Sequence, residues 1–69
     1  MINDETLNLS VRKFLKRFGV EAQRTIEDAI RQADEAGKLE GQTAVTASVN
    51  LDLAGLETTM EVKDDIRFD

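Results

Sequence analysis

Arg12, Lys13, Lys16 and Arg17 concentrate positive charge in one short stretch, with Leu9 one turn upstream. At helical spacing these residues share one side, and Leu9 lies within the basic surface they make. Arg24 extends it. Such a patch suits an acidic partner or a phosphate. The ordinary reading is a solvated helix face, where cations gather near a C-terminus to complement the dipole. Leu9, Arg12, Lys13, Lys16 and Arg17 are the candidate partner-binding residues.

Chemistry beyond docking has little material. The chain has no histidine, cysteine or tyrosine, which removes the common general bases and the strongest nucleophile. Ser10 and Ser48 have no imidazole to activate them. Missing thiols and imidazoles also remove the usual transition-metal ligands. Asp64, Asp65 and Asp69 could hold a hard cation weakly, yet their spacing matches no calcium loop and reads as an acidic turn and tail. Two carboxylates can do acid–base work, but a chain this small lacks walls for a substrate cleft. No catalytic residue, metal or cofactor is expected. The three phenylalanines read as core rather than as a base-stacking platform.

The sequence has 69 residues and a net charge of −5. Residues 1–41 hold eight acids and seven bases, whereas residues 42–69 hold six acids and two bases. This balance repels phosphate backbones and anionic lipid, which argues against nucleic acid as a partner. No apolar run approaches membrane-spanning length. A basic n-region followed by an apolar h-region is not visible, so a complete cytosolic protein is expected. Small domains bury little surface and need disulfides, metals, self-association or very regular packing. The first two are removed by composition.

The hydrophobic rhythm sets the elements. Asn3 is a good N-cap, and Asp4 and Glu5 suit a first turn. Leu7, Val11, Phe14, Leu15 and Phe18 form one apolar stripe, and Gly19 is placed for a left-handed ending with Val20 folding back on Leu15. The first helix is therefore expected over about 4–18. A second, from about 21 to 36, carries the thinner stripe Ala22, Ile26, Ala29, Ile30 and Ala33 and ends at Gly37. Its alanines would receive Phe14 and Phe18, large against small. Beyond Gly41 the period changes to two: Val45, Ala47, Val49, Leu51 and Leu53 predict a strand over about 43–53. Ala54-Gly55 is a turn candidate. Leu56, Met60, Val62, Ile66 and Phe68 predict a return strand over about 56–68, with Leu53 opposite Leu56 and Val49 opposite Met60. Asp64 interrupts that face, so either the strand bends there or a short third strand follows; one long bent strand is preferred.

The stretch Ser10-Val11-Arg12-Lys13-Phe14-Leu15-Lys16, with Gly19-Val20, Gln23-Arg24, Ile26-Glu27 and Ala36-Gly37-Lys38-Leu39, is similar to a family of small bacterial proteins with no assigned function. The likeness runs along nearly the whole chain and is strongest in the helical half. It implies a cytosolic bacterial origin and the order α-α-β-β, and lends no catalytic or binding residue. Glu21 departs from the small hydroxyl residue expected there, which weakens the second cap.

The expected fold is α+β: an N-terminal αα-hairpin packed on a C-terminal antiparallel β-hairpin, in a single domain spanning residues 1–69. Two long strands leave edges that are either paired across a two-fold axis or shielded by Lys63 and Arg67 in a monomer. The expected function is a non-catalytic protein–protein interaction module, with a homodimer as one option. The alternative is a winged-helix-like DNA binder, in which the second helix enters the major groove. Only Gln23 and Gln32 on that helix suit base reading.

Overall fold

A computed structural model describes residues 1–69, and it divides them into two units, Met1–Lys38 and Leu39–Asp69. The element order is one helix and two strands, α1 (Asp4–Glu35), β1 (Ala44–Leu53) and β2 (Thr58–Arg67).

The first unit is a single 32-residue helix, and the expected αα-hairpin with helices over 4–18 and 21–36 is corrected. Its start is as expected. Asn3 takes an extended backbone and its Oδ1 accepts the Thr6 N–H at 3.1 Å, with Asp4 and Glu5 in the first turn. The break at Gly19 does not occur. Gly19 stays helical, because one glycine inside a helix costs only about 1 kcal/mol relative to alanine. No proline follows, and Glu21 is a poor cap for a fresh start. Interactions run across the site instead. Arg17 Nε donates to Glu21 Oε1 at 3.5 Å, and Thr25 Oγ1 donates to the Glu21 carbonyl at 3.0 Å.

The helix stops at Gly37, where the expected ending does form. Gly37 has φ +74°; its N–H donates to the Asp34 carbonyl at 3.0 Å, and the Lys38 N–H donates to the Ala33 carbonyl at 2.9 Å. This is the Schellman pattern, which needs a left-handed residue that glycine adopts without a Cβ clash. A turn follows, closed by the Gln42 N–H to the Leu39 carbonyl at 2.9 Å.

The second unit is a two-stranded antiparallel ribbon. The strands are slightly shorter than the expected 43–53 and 56–68, and there is no third strand. The predicted turn is present: the Leu56 N–H donates to the Leu53 carbonyl at 3.1 Å, with Gly55 at φ +81°. The loop, however, holds four residues rather than two. Pairing resumes with Leu53 opposite Thr58, so Leu51 faces Met60, Val49 faces Val62 and Val45 faces Ile66. The expected register is thus displaced by two residues. The apolar face survives because side-chain direction repeats every two. The cost falls on Glu57, the one non-glycine residue with positive φ, at 52°. Asp64 stays within β2, opposite Ala47 on that same face.

No residue of the chain is buried. Phe14 is 58% exposed and Phe18 41%. The large apolar side chains that the sequence marks for a core remain at least partly open to solvent.

Candidate functional site

All five predicted site residues lie on α1. The apolar stripe of the helix runs through Leu7, Val11, Phe14 and Phe18; Leu9 with Arg12, Lys13 and Lys16 falls on the far side, whereas Arg17 borders the stripe in a shallow groove with Phe14, Phe18 and Glu21. Leu9 is 57% exposed. Continuity of the helix adds a residue that the sequence reading placed in a turn. Leu9, Lys13, Lys16 and Val20 follow one another at steps of four, three and four, so they form one line along the surface. Val20 is 56% exposed and lines a shallow groove with Lys13, Lys16, Arg17 and Glu21. The spacing itself carried the signal for Val20; assigning Gly19 as a stop concealed it.

The patch is modified at one edge. Arg17 is drawn toward Glu21 in an exposed i,i+4 pair, a contact that contributes a few tenths of a kcal/mol, about 0.3–0.5, at such positions. Further along the helix, Glu27 is held between Gln23, whose Nε2 donates to it at 2.8 Å, and Arg31, whose Nη1 donates at 3.3 Å. These two hydrogen bonds, Gln23 first, hold the Glu27 carboxyl below its ordinary value. The surface therefore passes from cationic to mixed charge along the helix axis.

The acidic residues of the ribbon are used locally. Asp64 Oδ1 accepts the Asp65 N–H at 2.8 Å, and Asp65 Oδ1 accepts the Thr46 hydroxyl from the facing strand at 3.0 Å. Asp69 Oδ2 meets Arg67 Nη2 at 2.7 Å. No cluster of three or more histidine, cysteine, aspartate or glutamate side chains is arranged to hold a metal ion. No helix is long and apolar enough to cross a membrane. The winged-helix alternative loses its basis, since the turn between two helices is absent and α1 runs through it.

A continuous amphipathic helix followed by a two-stranded antiparallel ribbon defines a small α+β protein. The chain belongs to a family of unknown function, DUF6494, whose model matches residues 2–69. Searches of the curated proteins and of the solved structures found no match.

Proposed function

We propose that this protein is a non-catalytic interaction module that completes its fold against another protein surface. The observation that carries the reading is the absence of any buried residue. Burial of apolar area is the main favourable term in folding, at roughly 25 cal/mol per Å². A chain that leaves phenylalanine, leucine and valine open along the first half of a 32-residue helix has that energy still to gain by association. The lack of histidine, cysteine and tyrosine supports a non-catalytic role. The highly charged helix suits an aqueous compartment, and the bacterial cytosol is the compartment proposed.

The basic line of Leu9, Arg12, Lys13, Lys16 and Arg17, lengthened by Val20, is the proposed contact for an acidic protein partner. Replacing Arg12, Lys13, Lys16 and Arg17 with glutamate is expected to abolish binding to an acidic partner captured by pull-down, and unchanged binding removes the patch. The reading as a whole is tested by following secondary structure and molecular mass over a wide range of concentration. Helicity and thermal midpoint should rise with mass, because an interface stabilises by mass action. A cooperatively folded monomer at every concentration, indifferent to added partner, would sink it.

A further inference from the structure

We infer that the apolar face of α1 is a self-recognition surface, which pairs antiparallel with α1 of a second copy of this chain. This rests on the interaction-module reading and names its partner.

Three observations favour a second copy in that orientation. The first is phase. Leu7 and Phe18 are followed by Ala29, and Val11 by Ala22 and Ala33, each at intervals of eleven residues along one unbroken helix. An eleven-residue period is 3.67 residues per turn, so the stripe stays on one face without a left-handed supercoil. The helix is about 48 Å long. A seam of that length lets half-open phenylalanines each lose on the order of 100 Å², which brings a full-length pair within reach of the roughly 1,200 Å² of a specific interface.

The second is size. The bulky residues lie in the first half of the stripe and the alanines in the second. Within one continuous helix these halves cannot meet. An antiparallel pair centred near Val20 sets Leu7 against the partner's Ala33, Val11 against the partner's Ala29, Phe14 against the partner's Ile26 and Phe18 against the partner's Ala22. Every pair joins a larger side chain to a smaller one, which fills the seam evenly. A parallel pair stacks phenylalanine on phenylalanine and leaves alanine opposite alanine.

The third is charge. Residues 4–19 carry Asp4 and Glu5 against Arg12, Lys13, Lys16 and Arg17, so the first half is positive. Residues 20–35 carry five acids against Arg24 and Arg31, so the second half is negative. Taken as the net charges of the two halves, opposite signs come together in the antiparallel pair and like signs in the parallel pair, although Glu5 then lies opposite the partner's Glu35. Arg12, Lys13 and Lys16 point away from the seam, so they contribute only to this long-range attraction, and the basic line around Leu9 stays open.

The absence of native cysteine makes a direct test available. The double variant Leu7→Cys/Ala33→Cys should convert under mild oxidation to a covalent dimer, whereas each single variant remains monomeric on a denaturing gel. In the antiparallel pair the two copies of residue 7 lie about 39 Å apart, beyond the reach of a disulfide. Val11→Cys/Ala29→Cys repeats the test with a different pair should the first variant lose helicity. Efficient cross-linking of the single variants means parallel pairing and overturns the inference. No specific cross-link in a chain that still dimerises means another surface is used; the inference falls and the interaction module stands. A monomer at all concentrations, folded and uncross-linked, overturns the inference, and one that is also indifferent to an added acidic partner overturns both.

Discussion

Arg17 and Glu21 face each other across Gly19, with Arg17 Nε 3.5 Å from Glu21 Oε1. Their side chains meet on the helix face opposite Gly19, which stands two residues from each. The pair is exposed on both sides, and its worth is small. Its meaning is geometric: an i,i+4 contact exists only where the intervening backbone is helical.

Gly19 is therefore a weak point rather than a joint. A Cβ at this position would meet nothing within 4 Å. Gly19→Ala is expected to stabilise α1 by about 1 kcal/mol, seen as increased helicity in far-UV circular dichroism and slower amide exchange on both sides of the site. Unchanged or reduced helicity would mean that the helix does bend or break there.

Gly37 behaves in the opposite way. Nothing crowds a Cβ there either, but φ is +74°. Gly37→Ala forces an L side chain into the left-handed region and should cost roughly 1–2 kcal/mol. The expected readout is fraying of the last turn, with faster exchange of the Lys38 amide that now bonds the Ala33 carbonyl. An undisturbed Lys38 amide would contradict the proposed role of the glycine.

Glu57 carries backbone strain that a substitution can release. It holds φ 52° without being glycine. Relief of the left-handed cost of about 1–2 kcal/mol, less the extra freedom glycine gives the unfolded chain, leaves Glu57→Gly more stable by roughly 0.5–1 kcal/mol. NMR shifts of the β1–β2 ribbon should become more strand-like, with the pairing of Leu53 to Thr58 retained. A register change to a two-residue loop would show that Glu57 itself sets the loop length.

Glu27 links helix stability to acid. Its folded value is lowered from the ordinary 4.5 by the Gln23 and Arg31 hydrogen bonds. A lowered carboxyl contributes stability above its unfolded value and loses it as pH falls through the folded one. Helicity should therefore show an acid decline beginning near the ordinary glutamate value, and Glu27→Gln should make that decline shallower. Identical acid profiles for the two proteins would remove Glu27 from the account.

Local chemistry settled much of this molecule from residue types alone. Asn3 caps the helix, Gly37 ends it and Gly55 turns the ribbon because each requirement is met within a few neighbours. The alternation from Val45 to Leu53 marks one face of β1 for the same reason. The basic line is legible as well, except for Val20, whose place on the helix is masked by the glycine before it.

Three-dimensional structure decided what several weak preferences left balanced. Gly19 looks like a C′ residue when read with Lys16, Arg17 and Val20, yet its helical penalty is smaller than the cost of ending one helix and starting another behind an uncapped Glu21. The two apolar stripes were also in phase, with Ala22 four residues after Phe18, a sign of one helix that the glycine obscured. In the ribbon, registers displaced by two residues keep the same apolar face, so alternation could not choose between them. The four-residue loop, with its strained Glu57, and the pairs Leu51–Met60 and Val49–Val62 made that choice. Periodicity fixes which way a side chain points, whereas continuity and register depend on sums of small energies over distant residues.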